Sequence, residues 1–130
     1  MANLIYPKAF ERAATTGLNF VAGTIKVVLL TSAYTYSASH EFLSDISGGA
    51  IVATSSALSS KTDTGGVLDA ADLTFTALTG SPIVSLVIYE DTGSSATSGL
   101  LIFIDGFSTF TPNGVDDLHV KWSSSGIAQI

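Results

Sequence analysis

The feature that most constrains this chain is a series of short apolar runs, each about as long as a β-strand and bounded by Gly, Ser, Thr or Pro. The three longest runs are Thr24–Leu30, Ile83–Glu90 and Leu100–Asp105. They are rich in β-branched residues, and they are shorter than most buried helices. We therefore predict three well-buried strands in the centre of a sheet.

Weaker strand signals follow the same plan. Leu73, Phe75 and Ala77 alternate with polar residues, which is typical of a half-buried strand. The stretch Lys61–Gly66 is rich in turn residues and is predicted as a turn. The other strand candidates are Ile51–Leu58, Val67–Asp69, Asp72–Ala77, Asp117–Trp122 and Ile127–Ile130, the last being a strand or a terminal clip.

Two short helical segments complete the prediction. Apolar residues recur at helical spacing from Tyr6 to Ala14, and Gly17 is placed to end that helix. A second helix or helical turn is expected within Ser37–Ile46, where serines can cap its start. We predict a mainly β chain of about six to eight strands, folded as an antiparallel β-sandwich or small barrel. We expect residues 1–130 to form one domain, with 1–17 as an N-terminal arm and helix.

The surface of such a fold must be unusually poor in charge. The chain is 46% hydrophobic and 12% charged, against roughly 25% charged residues in an ordinary soluble domain. Ser, Thr, Gly and Ala take the place of charges, and such a surface costs little to desolvate in an interface. Composition therefore favours a protein that assembles with other subunits, and a monomer with a surface rich in Ser and Thr is the alternative.

Several classes of function are disfavoured by charge and composition. The net charge is −6 and the five basic residues are scattered singly, so no basic stripe for nucleic acid is present. The chain has no cysteine, which leaves neither a disulfide framework nor thiolate ligands. The N-terminus does not resemble a secretion signal, and the apolar runs are shorter than the ~20 residues of a membrane span. We expect a soluble protein made in the cytoplasm.

No pattern of catalytic or metal-binding residues is evident. His40 and His119 lie far apart in sequence and are predicted to be surface or interface residues. Asp69 and Asp72 are separated by two alanines, and we interpret them as turn and cap residues rather than ligands for a cation or a sugar. We predict no catalytic residue, no metal site and no cofactor, and therefore no enzyme.

An ordered series of motifs resembles a family of small virion structural proteins of tailed bacteriophages. The series covers most of the chain, although each motif alone is weak. In order, the motifs are Leu4–Phe10, Thr24–Leu30 with Ser32–Thr35, Ser39–Ile46, Leu86–Gly93, Ala96–Ser98, Ile104–Asp105, and Thr111–Gly114 ahead of Trp122.

The resemblance implies a non-enzymatic component of the particle, namely a decoration or cement protein on the capsid exterior. Its partners would be the major capsid protein and further copies of itself, with a homotrimer expected because shell junctions offer threefold symmetry. A tail, neck or baseplate component is the first alternative. A carbohydrate-binding module for host attachment is the second.

Six residues are predicted to contact neighbouring subunits or the shell. They are grouped in the N-terminal arm and in one loop: Leu4, Ile5, Tyr6, Phe10, Tyr34 and Tyr36. An alternative for the loop is an aromatic platform of Tyr34, Tyr36 and Phe42 that stacks on a sugar or a base. Strand exchange between copies, in which the arm adds to a neighbour's sheet, is a further way to join them.

Overall fold

The computed structural model describes residues 4–15, 17, 19–123 and 126–129, with backbone alone for 128 and 129. Its elements are helix α1 (Pro7–Thr15) and strands β1 (Leu4–Ile5), β2 (Ile25–Leu30), β3 (Ile51–Thr54), β4 (Thr62–Thr64), β5 (Val67–Asp69), β6 (Leu73–Phe75), β7 (Ile83–Glu90), β8 (Gly99–Phe110), β9 (Leu118–Val120) and β10 (Ala128–Gln129). The prediction of a mainly β, antiparallel, sandwich-like fold is confirmed.

One five-stranded antiparallel sheet organises the molecule, in the order β1-β8-β7-β2-β3. The three runs predicted as central strands supply β2, β7 and half of the twelve residues of β8. Their side chains are buried along nearly the whole of β2 and β7. Continuous apolar sequence is what a strand covered on both faces requires, so these predictions are confirmed.

Strand register assigns each side chain to one of the two faces. Leu29 pairs with Leu86, and Leu86 pairs with Ile104, so these three form one row across the sheet. The neighbouring row contains Val87 and Phe103, which point to the opposite side because side chains alternate along a strand. We call the side of Leu29 the inner face and the side of Phe103 the arm face.

A layer of short strands borders the inner face. It consists of a three-stranded sheet, β10-β5-β4, and a two-stranded sheet, β6-β9. Gly65 and Gly66, with φ of 61° and 82°, connect β4 to β5 in the left-handed conformations of a tight hairpin. The turn predicted over Lys61–Gly66 is thus too long, because Thr62–Thr64 are already paired with β5.

The N-terminal helix matches its prediction. Pro7 occupies the first position, where its missing N–H is not needed. Gly17, with φ of 91°, ends the helix, and its N–H donates to the carbonyl of Arg12 at 2.8 Å. The segment Leu4–Thr15, which we call the arm, therefore contains one short strand and one helix.

The second helical segment is smaller than the sequence indicates. Within Ser37–Ile46 the helical part is the 3-10 turn Leu43–Asp45, and a second 3-10 turn spans Gly48–Ala50. The carboxylate of Asp45 accepts backbone N–H groups of Glu41 and Phe42 at 2.7 and 3.0 Å, which stops a longer helix from starting at the serines. No helix in the described part of the chain is long and apolar enough to cross a membrane.

Candidate functional site

The arm lies along one edge of the five-stranded sheet. Leu4 pairs with Phe103 and Ile5 with Ile102, so β1 extends the sheet by one short strand. The next residue, Tyr6, donates its N–H to the carbonyl of Leu101 at 2.9 Å. The arm is therefore attached to β8 of its own chain, and its first residues are already engaged before any partner is considered.

Two of the six predicted contact residues are internal. Tyr6 is 0% exposed and Tyr34 is 8% exposed. In this conformation these two side chains offer little accessible surface to a neighbour, and their contact with a neighbouring subunit stays a prediction. They were attributed to the surface because tyrosine is often found in interfaces, yet here the arm and the loop bury them against the sheet.

The buried tyrosines belong to an aromatic cluster on the arm face, formed by Tyr6, Tyr34, Tyr36 and Phe103. Ring centroids are 5.0 Å apart for Tyr6 and Tyr36, 5.3 Å for Tyr36 and Phe103, and 6.1 Å for Tyr34 and Phe103. The rings are tilted to one another, which is a favourable aromatic arrangement. This packing contradicts an open stacking platform on Tyr34, because its ring is covered by the protein.

A chain of hydrogen bonds runs from the interior of the cluster towards the surface. The Tyr6 and Tyr34 hydroxyls are 2.7 Å apart, and the Tyr34 hydroxyl lies 2.8 Å from Nδ1 of His40. His40 is half-buried. Burial raises the pKa of both tyrosines, so both hydroxyls remain protonated and able to donate near neutral pH.

Arg12 joins the helix of the arm to the sheet. Its Nη2 donates to the carbonyl of Leu100 at 3.0 Å, and its Nη1 lies 4.0 Å from Oε2 of Glu41. The guanidinium group lies directly over Gly99, at a place that any Cβ would occupy. The absence of a side chain at Gly99 therefore lets α1 approach β8 closely.

The outer side of the arm helix is apolar and exposed. Phe10 is 49% exposed, and Ala13 and Ala14 are also exposed. Their spacing of three and four residues places them on one side of the helix, whereas Ala9, which is buried, faces the sheet. Among the six predicted contact residues, Phe10 has the most accessible side chain, while Leu4, Ile5 and Tyr36 are half-buried.

A cleft of about 450 Å³ opens between the inner face of the sheet and the second layer. One wall contains the row of Leu29, Leu86 and Ile104, and the other contains Leu118 and Trp122. The indole N–H of Trp122 donates to a backbone carbonyl at 3.0 Å. No local signal could have predicted this cleft, because residues far apart in the sequence form it.

The acidic and histidine side chains considered as possible ligands or catalytic groups form hydrogen bonds within the fold. Oδ1 of Asp69 accepts the N–H of Ala70, and Oδ1 of Asp72 accepts the N–H of Trp122, each at 2.9 Å. The bond of Asp69 is local, as expected of a turn residue, whereas the bond of Asp72 joins two segments that are distant in the sequence. His119 is exposed, and its Nδ1 lies 3.1 Å from the hydroxyl of Thr74. The described residues contain no cluster of three or more His, Cys, Asp or Glu suited to a metal ion.

Comparison with known proteins adds no relative to this picture. No protein-family model matches the chain, and no curated protein matches it at a significant level. The geometry alone therefore defines the candidate surface. It is the exposed side of the arm helix, which the aromatic cluster and Arg12 hold in place.

Proposed function

We propose that this chain is a non-enzymatic structural protein of a tailed-bacteriophage particle, a decoration protein that binds the outside of the capsid shell. It binds as an oligomer, a homotrimer, and its partner is the major capsid protein. The protein is synthesised in the host cytoplasm and ends in the virion, on the capsid exterior. The proposal is supported by the ordered phage-like motifs, from Leu4–Phe10 to Trp122.

The observation that carries the proposal is the exposed apolar side of the arm helix. A single exposed Phe is common on protein surfaces. Here Phe10 is accompanied by Ala13 and Ala14, on a helix whose other side is anchored to the sheet through Arg12. An apolar strip on a rigid support, on a chain with 12% charged residues, is suited to burial against another subunit.

Shell stabilisation would follow from mass action. A protein that binds the assembled shell and not its separate subunits shifts the equilibrium towards the shell. Many sites of modest affinity acting together on one particle give a large total effect. No reacting group is required, and this suits a chain in which Asp69, Asp72, His40 and His119 all take part in hydrogen bonds within the fold.

Phe10→Glu tests the surface, because it places a charge in the apolar strip and keeps a good helix former in α1. We expect the variant to fold with a change in stability of no more than about 0.5 kcal/mol and to lose binding to shells that lack the protein. Co-sedimentation with such shells measures this. Val115→Glu is the matched control, because Val115 is 77% exposed on a loop outside the arm, and it should bind as the original chain does.

Copy number separates the shell from the tail. On the order of hundreds of copies per particle agree with a decoration protein, whereas about six or twelve indicate a tail, neck or baseplate component. Low-resolution imaging of purified particles gives both number and position. Full binding by Phe10→Glu would contradict the role of the arm helix, and a low copy number would contradict the capsid assignment.

A further inference from the structure

One buried residue, which lies between the strand and the helix of the arm, adds to the contacts that attach the arm to the body. Tyr6 follows β1 directly and precedes α1, and its side chain is 0% exposed. Its hydroxyl forms a hydrogen bond with Tyr34, and no other partner of that hydroxyl is found in the described part of the chain. The buried Tyr6 hydroxyl therefore depends for its hydrogen bond on the Tyr34 hydroxyl, and Tyr6 holds the arm together with the pairing of β1 with β8 and the contact of Arg12 with Leu100.

The direction of the hydrogen bonds is determined by His40. When the imidazole is neutral with its proton on Nε2, Nδ1 is an acceptor, and the Tyr34 hydroxyl donates to it over 2.8 Å. The Tyr34 oxygen is then free to accept from the Tyr6 hydroxyl over 2.7 Å. In this state the hydroxyls of Tyr6 and Tyr34 each donate one hydrogen bond, and the buried Tyr6 proton has an acceptor.

A proton on Nδ1 of His40 reverses this order. An imidazolium ion is a donor at both nitrogens, so Tyr34 must accept from His40 and turn its own proton towards Tyr6. The Tyr6 hydroxyl then accepts, and its proton is left without an acceptor inside the aromatic cluster. A buried polar group without a partner destabilises the conformation that buries it.

We propose that the hydrogen-bonded chain Tyr6–Tyr34–His40 is a pH-sensitive latch, which holds the arm on the sheet while His40 is neutral and loosens it when His40 is protonated. The latch acts on β1 and on the start of α1, because Tyr6 links the two. It is a property of the single chain and does not depend on the proposed function.

The charged and titratable groups around His40 come from its own loop, the arm and the sheet. Asp45 interacts electrostatically with His40, and Glu41 is the sequence neighbour of His40. Neither forms an ion pair with His40 among the described residues, and Asp45 already accepts two backbone N–H groups. Arg12 of the arm lies beside Glu41, and β8 contributes the uncharged ring of Phe103.

Amide hydrogen exchange at Tyr6 tests the latch, because this N–H donates to Leu101 of β8. The quantity is the protection factor, which corrects for the intrinsic effect of pH. Between about pH 8 and about pH 5, the range in which an unperturbed imidazole changes its charge, we expect protection at Tyr6 to fall by about 5- to 100-fold. Protection at Val28, in the central strand β2, should not change.

Three variants make the test specific. His40→Asn places an acceptor that does not titrate near the position of Nδ1, so its Tyr6 protection should not depend on pH. Tyr34→Phe keeps the aromatic ring but removes the hydroxyl that links Tyr6 to His40. The protection of the Tyr6 amide in this variant should be low at both pH values. His119→Asn, the matched control for the second histidine, should behave as the original chain does.

Either of two results would overturn the proposal. In the first, Tyr6 protection in the original chain is equal at both pH values, or it falls together with that of Val28, as in global unfolding. In the second, His40→Asn loses protection in acid as strongly as the original chain, which would assign the effect to another group. If His40→Asn does not fold, the comparison of the original chain with Tyr34→Phe decides. The latch is supported if the protection of the Tyr6 amide depends on pH in the original chain and not in Tyr34→Phe. It is contradicted if Tyr34→Phe retains the pH dependence.

Discussion

The five-stranded sheet and the second layer are both antiparallel, yet different physical principles hold them. Strand β7 has eight residues, six of them buried, and it pairs along both edges. The strands of the second layer have two or three residues, and the three residues of β4 are all exposed. Apolar contacts on two faces stabilise the sheet, whereas the second layer depends on one face and on turns.

The difference shows where the molecule can be changed without loss of the fold. On the arm face, the sheet is covered by the aromatic cluster and by α1. On the inner face, the second layer covers it incompletely and leaves the cleft beside Leu118 and Trp122. Substitutions in the sheet should therefore lower the free energy of unfolding most. Those at the attachment of the arm should lower it less, and those at the ends of strands least.

The largest expected effect is that of Ile88→Ala, in the middle of β7. Ile88 is 0% exposed, and its truncation leaves a cavity in close-packed surroundings, so the free energy of unfolding should fall by about 2–5 kcal/mol. Leu118→Ala is the comparison in the second layer. Because Leu118 is half-buried and borders an existing cleft, its loss should be less than half as large. Urea denaturation measures both, and equal losses would remove the distinction between the layers.

An intermediate effect is expected for Gly99→Ala, at the attachment of the arm. The new methyl group would displace the guanidinium of Arg12 from the carbonyl of Leu100, at a cost of about 1–3 kcal/mol. Gly48→Ala is the control, because no atom lies near its added Cβ. A change within about 0.5 kcal/mol is expected there. If the two variants were equally stable, Arg12 would not be a main attachment of α1.

The smallest effect is expected at the end of the sheet, for Asp91→Asn. Nζ of Lys26 lies 2.7 Å from Oδ2 of Asp91, and the hydrogen bond from Lys26, followed by that from the N–H of Gly93, lowers the pKa of Asp91. A carboxyl group with a lowered folded-state pKa stabilises the protein above its unfolded pKa of about 3.9 and loses that contribution as pH falls further.

The Tm of the original chain should therefore exceed that of Asp91→Asn at neutral pH, and the two should converge in acid, as pH falls from the unfolded pKa through the lower folded pKa of Asp91. Calorimetry across this range measures the difference. Both side chains are partly exposed, at 29% for Lys26 and 23% for Asp91, so the difference should be small. A difference that grows in acid would contradict the assigned sign.

The long strands were predictable because their sequences are continuous apolar runs. Thr24–Leu30 and Ile83–Glu90 differ from β2 and β7 by at most one residue. The extension of β8 to Phe110 was missed, because residues 106–109 are exposed and carry no apolar alternation. Strand β4 was missed for a similar reason, since its Thr-Asp-Thr sequence has no buried side chain. The pattern of apolar and polar residues along a sequence indicates which segments are buried, so a strand with exposed side chains is hard to predict from it.

The candidate site was predictable only in part. Sequence identified the arm and the Tyr34–Tyr36 loop as a pair of aromatic segments, but it could not decide which rings face the solvent. Tyr6 and Tyr34 are 28 residues apart in the chain, and their contact exists only after the arm has paired with β8. The same pairing leaves Phe10 outside.

The amino-acid sequence by itself determined the class of fold, the buried central strands, the end of the arm helix at Gly17 and the low surface charge, because these follow from local composition and periodicity. Tertiary structure alone decided that Tyr6 is internal, that His40 completes a hydrogen-bonded chain, and that a cleft opens beside Trp122. These depend on strand register and on contacts between distant segments, and a one-residue change in register would send each side chain to the opposite face.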